Sequence, residues 1–81
     1  MRVEVLLFGP QAAAAGARVV AVEVAAPASA SGVRSALSAA CPALTPSLGA
    51  SRLAVNRAIA ADDTPVSPGD EVALIGMVSG G

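Results

Sequence analysis

Along "RVEVLLF" near the start of the chain, apolar and polar positions alternate. Val3, Val5 and Leu7 share one side of an extended segment and Glu4, Leu6 and Phe8 the other. A second stretch, "RVVAVEV", repeats the rhythm with Val20, Val22 and Val24. Both are short, rich in β-branched residues and bounded by "GPQ" and "AAPAS", which predicts strands over residues 3–8 and 18–24 paired as a hairpin. The connector "GPQAAAAGA" is too long for a tight turn. Its four alanines predict a helical turn that Gly16 ends.

From Ser29 the period changes. Ala30, Val33, Leu37 and Ala40 recur at helical spacing behind Ser29 as N-cap until Pro42 forbids continuation, predicting one amphipathic helix. Gly32 lowers its intrinsic stability by about 1 kcal/mol relative to alanine. "PALTPSLGAS", with two prolines and a glycine in ten residues, reads as an irregular loop. Alternation returns in "RLAVN", followed by a turn at Asn56-Arg57 and a short "AIA" segment. Ser67-Pro68-Gly69-Asp70 fits a type II turn, with a last strand over residues 71–75. The order β, β, α, β, short β, β, with the last strand returning beside the first, is that of an α+β roll.

Carried through the strands, the alternation puts Leu53, Val55, Val72 and Leu74 on the side of Val3, Val5 and Leu7, and the helix must cover that side. The other side carries Leu6, Phe8, Ala73 and Ile75, with Ile59 close by, and is apolar where water is expected. Two readings fit. Either the cluster is a partner-docking patch, or the connector folds over it and Phe8 is a satellite of the core. Complete burial of Phe8 would contribute about 1.5–3 kcal/mol.

Composition narrows the chemistry. A chain of 81 residues supports one domain, and its single cysteine, Cys41, closes no internal disulfide, which is compatible with a reducing compartment and makes the cytoplasm the expected location. The longest charge-free run, 35–51, is interrupted by Pro42 and Pro46, so no membrane span is expected, and Glu4 interrupts any signal-peptide region. Five arginines against six acids, none in a block, argue against nucleic acid, and Phe8 is the only aromatic ring. There is no histidine, tyrosine, tryptophan or lysine. The usual general base, metal ligand and Schiff-base nucleophile are thus missing. Asp62-Asp63 and Asp70-Glu71 sit beside turns and read as solvated acids, so no metal site is expected. Cys41 reads as a small half-buried hydrophobe.

What remains is the end, "GMVSGG". We expect a folded domain over residues 1–75 and a flexible tail over 76–81. Six extended residues reach about 20 Å at ~3.3–3.6 Å each, and two glycines pass where side chains cannot.

Together, "VEVLLFG", the "CPAL" after the helix, "LAVNRAI", "PGDEVALI" and the terminal "VSGG" resemble the MoaD/ThiS family of sulfur carriers, most of all its molybdopterin synthase small-subunit branch. The resemblance covers nearly the whole chain in order. It implies a ubiquitin-like β-grasp roll: α+β, a mixed sheet of four to five strands and one main helix on one face. It also implies chemistry at the end of the chain. The Gly81 carboxylate, preceded by Gly80, would be adenylated by ATP on an adenylyltransferase related to the ubiquitin activators. A sulfur donor enzyme would then supply the sulfur of a C-terminal thiocarboxylate. The chain itself would bind no cofactor. The resemblance implies a hetero-oligomer with the molybdopterin synthase large subunit, which would own the active site where cyclic pyranopterin monophosphate receives the sulfur. Phe8, Ile59 and Ile75 would form the docking patch, with Met77 and Val78 as partner contacts in the tail. Gly76-Met77 stands where family tails commonly carry prolines, replacing a stiff segment.

Other readings stay open at the level of sequence: a carrier for thiazole or amino-acid biosynthesis, a ubiquitin-like modifier conjugated through its C-terminus, and a passive interaction module.

Overall fold

A computed structural model describes residues 1–76. Strand β1 (Arg2–Leu6) pairs antiparallel with strand β2 (Val19–Glu23), Val3 opposite Val22 and Val5 opposite Val20, as the alternation requires. Their connector is helix α1 (Gly9–Ala15). Pro10 occupies its first turn, where a missing N–H is harmless, and Gly16 closes it at φ 71°.

Helix α2 (Ala30–Ala40) follows strand β3 (Ala28–Ser29). The Ser29 hydroxyl accepts the Gly32 N–H at 3.2 Å, and Pro42 terminates the helix as expected. The segment expected to be irregular is instead folded: a 3-10 turn (Pro42–Leu44) runs into helix α3 (Thr45–Leu48). Pro42 and Pro46 lie in the first turns of these pieces, where a fixed φ favours helix, so they act as starters. Leu44 and Leu48 are buried, and Arg34 on α2 donates to the Leu48 carbonyl at 2.6 Å, seating the end of α3.

The chain then forms β4 (Ser51–Val55), β5 (Ala58–Ile59), β6 (Pro65–Val66) and β7 (Val72–Gly76). The main sheet has the order β2-β1-β7-β4-β5, with β1 and β7 parallel and its other neighbours antiparallel. The predicted α+β roll is therefore present, with five strands and α2 as its longest helix. Sequence patterning gave no sign of β3 and β6, which pair with each other as a second, two-stranded sheet. The strands of the main sheet also start or stop a residue or two from the expected positions, and β7 extends through Gly76.

All the residues assigned to the covered side lie at or against the core. Val5, Leu53, Val72 and Leu74 are fully buried under Val33 and Leu37 of α2, while Val20 and Val24 pack at its margin. The β4–β5 hairpin turns through Asn56 (φ 52°) and Arg57 (φ 69°), the two left-handed residues of a type I′ turn. Gly69 (φ 87°) and the Asp70 N–H to Ser67 carbonyl bond of 3.1 Å form the expected type II turn.

Ser29→Ala removes the acceptor that starts α2. It is expected to lower unfolding free energy by about 1 kcal/mol in urea titrations, without changing the slope of the transition.

Candidate functional site

A single row of side chains crosses the uncovered face of the sheet. Leu6 lies beside Ala73 in the parallel pair, Ala73 opposite Ala54, and Ala54 opposite Ile59. Neighbouring strands stand about 4.8 Å apart, so these residues are contiguous. The two alanines are too short to fill the middle of the row. Leu6, Phe8, Ile59 and Ile75 stand around them and enclose a hollow of about 380 Å³, rimmed by Arg57 and Glu71. Shelter by these neighbours leaves Ala54 and Ala73 only 8% exposed, whereas Phe8 is 55% and Ile59 61% exposed. Large apolar side chains in such a contiguous exposed group mark an interaction surface.

Backbone geometry explains why Phe8 is bare. At φ −135°, ψ 155° it is still extended, so its side chain continues the Leu6 side of β1, while α1 departs toward the 3-10 turn. The connector does not cover this face. Of the residues expected in the patch, the structure brings Phe8, Ile59 and Ile75 together. Met77, Val78, Gly80 and Gly81 lie outside the described residues. Ala54, Arg57 and Glu71 escaped the sequence reading. Ala54 was legible in principle, since it alternates between Leu53 and Val55, but Arg57 and Glu71 become neighbours only through the β4–β7 register.

Two hydrogen-bonded turns hold that rim. The Asn56 side chain donates to Asp70 Oδ1 at 3.1 Å and accepts the Glu71 N–H at 3.0 Å, while Asp70 Oδ2 accepts the Ser67 N–H at 2.8 Å. The Ser67 N–H first, and the Asn56 amide second, hold the Asp70 carboxyl below the ordinary carboxylate range. Arg57 Nε then reaches Glu71 Oε2 at 3.5 Å.

At the end of β7 a second groove, of about 520 Å³, opens between Phe8, Pro10, Ser47, Ala50 and Ile75. Its floor is polar. Buried Gln11 donates through Nε2 to Ser51 Oγ, which donates to the Ser47 carbonyl at 2.7 Å. Gly76 pairs with Ser51, and a Cβ placed on it would stand 3.4 Å from Gln11 Oε1. Gly76, the last described residue, thus lies in β7 along this groove, one residue after Ile75, which borders both groove and hollow.

Among the described residues no cluster of His, Cys, Asp and Glu is placed to hold a metal ion, and no helix is long and apolar enough to cross a membrane. Asp62 faces solvent beside Arg34, and Cys41 caps α2 half-buried.

A five-stranded mixed sheet, helix-covered on one face and open on the other, defines a ubiquitin-like β-grasp protein. The chain belongs to the ThiS family of small sulfur carriers, which its sequence matches over residues 5–81. Among solved structures it is similar to SAMP1 from Haloferax volcanii, with 34% identity, a TM-score of 0.86 and full coverage of both chains. It is also similar to the complex of subunits 1 and 2 of molybdopterin-converting factor from Helicobacter pylori 26695, with 28% identity, a TM-score of 0.70 and full coverage of both chains. A putative molybdopterin converting factor subunit 1 from Pyrococcus furiosus shares the fold at 19% identity and a TM-score of 0.82, over 95% of this chain and 98% of that one. No curated protein is a significant match to the sequence.

Phe8→Asp is expected to retain a cooperative thermal transition by circular dichroism. Leu7→Asp, one residue away and 2% exposed, is expected to lose it because an unpaired carboxylate would be buried.

Because folding depresses the Asp70 pKa, its contribution to stability is complete above the ordinary carboxylate pKa of about 3.9. It is lost as pH falls through the lowered value. Asn56→Ala should move the Asp70 titration, followed by carboxyl carbon NMR, upward toward the ordinary range.

Proposed function

We propose that this protein is a cytoplasmic sulfur carrier of molybdopterin biosynthesis, whose Gly81 carboxyl is activated and converted to a thiocarboxylate. One observation carries the reading. The apolar hollow ends on Ile75 of β7, and in the sequence Gly80 and Gly81 follow only five and six residues later. A partner that grips the hollow therefore holds the base of the segment it must act on.

The chemistry needs little from the rest of the chain. An α-carboxyl with a pKa near ~3.3–3.7 is an anion at neutral pH and repels nucleophiles. Transfer of AMP from ATP, with loss of pyrophosphate, removes that charge and supplies a leaving group. A persulfide sulfur on a donor enzyme then adds to the carbonyl and expels AMP, and a second thiol attacks the donor-side sulfur of the resulting acyl disulfide, forming a disulfide with the donor and releasing the thiocarboxylate. Sulfur reaches the pterin precursor, cyclic pyranopterin monophosphate, in the active site of a large subunit, with this chain as cosubstrate. The complex of subunits 1 and 2 from Helicobacter pylori supports such a partner.

A second reading has its own support. The solved structure at 34% identity is SAMP1, and a further one at 32% identity is described as small archaeal modifier protein 1 from H. volcanii, which favours conjugation of Gly81 to an amine on another protein. Both readings begin with adenylation and part afterwards.

Incubation with the activating enzyme, ATP and a sulfur donor should exchange one C-terminal oxygen for sulfur by intact mass, and addition of large subunit and precursor should consume the product. A chain lacking Gly81 should fold and stay unmodified. Amide-linked Gly81 on cellular proteins, with no sulfur exchange, would transfer the assignment to the modifier reading.

A further inference from the structure

Helix α1 buries its only polar side chain. Of Gly9–Ala15, Gln11 alone is polar beyond the backbone, and it is 7% exposed while Ala13 and Ala14 face solvent. A leucine or methionine would fill the same volume without the cost of desolvating an amide. Gln11 sits where four elements meet: it donates through Nε2 to Ser51 of β4, whose hydroxyl donates to the Ser47 carbonyl of α3 at 2.7 Å, and it underlies Gly76 of β7. That relay fixes which way the amide points. A carbonyl only accepts, so the Ser51 proton is committed to Ser47 and the Ser51 oxygen can only receive, which obliges Gln11 to present Nε2 to it and turns Oε1 toward Gly76. Among the described residues Oε1 has no hydrogen-bond partner. A buried amide kept half-satisfied calls for a reason other than stability.

The amide lies flat beneath the last described residue. A Cβ placed on Gly76 would stand 3.4 Å from Oε1 and 3.6 Å from both Cδ and Nε2, three nearly equal distances that set the amide plane across its path. Glycine rests against that plane, and a longer side chain would have to displace Gln11. From Gly76 to Gly81 there are five residues, at most about 17 Å of chain at ~3.3–3.6 Å each. When an enzyme draws so short a tether taut, any displacement of its origin reaches its end.

We infer that Gln11 is a positioning residue for the reaction at Gly81: its amide, oriented by Ser51 and Ser47, fixes Gly76 and thereby the place at which the Gly81 carboxyl meets the activating enzyme's nucleotide. This rests on the carrier reading. Misplacing a reacting group by about 1 Å costs up to ~100-fold in rate, so the amide acts on the chemical step. Gln11 lines the groove and not the hollow, so binding of the body is left alone.

ATP–pyrophosphate exchange by the activating enzyme from the same organism, at a temperature where every variant is folded, tests the inference. Gln11→Leu and Ser51→Ala are each expected to lower kcat on the order of tenfold with the KM for the carrier held within about twofold. Because the two residues act through one relay, the double variant should lie within about twofold of the poorer single one. Gln11→Leu should melt no lower than the unaltered protein, since it removes a half-satisfied buried amide. Ser29→Ala, which weakens the fold outside this junction, should leave kcat and KM within about twofold. Unchanged kcat in Gln11→Leu and Ser51→Ala, a rise in KM alone, or an equal loss of kcat in Ser29→Ala, beside normal exchange by the unaltered chain, would overturn this inference alone. Failure of the unaltered chain to support exchange would overturn the carrier reading and this inference with it.

Discussion

Parallel pairing of β1 with β7 places the first and last strands side by side at the centre of the sheet, with Val5 beside Val72 and Leu6 beside Ala73. Side chains alternate along a strand, so that register divides both strands between two faces. Val5, Val72 and Leu74 go under α2, while Leu6, Ala73 and Ile75 go to the open side. A slip of one residue would expose the first group to water and bury the second. The register that builds the core is therefore the register that builds the hollow.

The hollow exists because its centre lacks bulk. Ala54 and Ala73 occupy inner positions where valine or leucine would level the surface, and the larger residues stand around them. The surroundings of Gly76 in β7 are built differently. There Gln11 donates to Ser51, which passes the chain on to the Ser47 carbonyl, a buried hydrogen-bonded relay against which Gly76 packs. A packed setting at the last described residue suits a protein whose proposed task is to deliver its end to another enzyme's active site.

Much of this was legible in the amino-acid pattern because it is local. Ser29, Pro42, Gly16 and Gly69 each punctuate an element through their own backbone chemistry, and period-two alternation separates Phe8 and Ile75 from the core. The misreadings have equally physical sources. Pro42 does end α2, but the irregular loop expected from Pro42 and Pro46 is helical instead, because in a first turn proline initiates, and burial of Leu44 and Leu48 supplies the rest. The β3–β6 pair joins Ala28 to Val66 through two-residue strands, too short to leave a period in the sequence. Arg57 and Glu71 belong to the rim only because distant turns are clamped by Asn56 and Asp70.

That the open face of the sheet, and not its helical side, is where a partner takes hold is the claim on which the functional account stands. Amide chemical-shift mapping of the isotope-labelled chain on titration with its activating enzyme tests it directly. The account predicts that perturbed signals concentrate at Leu6, Phe8, Ala54, Ile59, Ala73 and Ile75. Perturbations confined to the exposed side of α2, around Ser31, Ser35 and Ser38, with the open face silent, would contradict it.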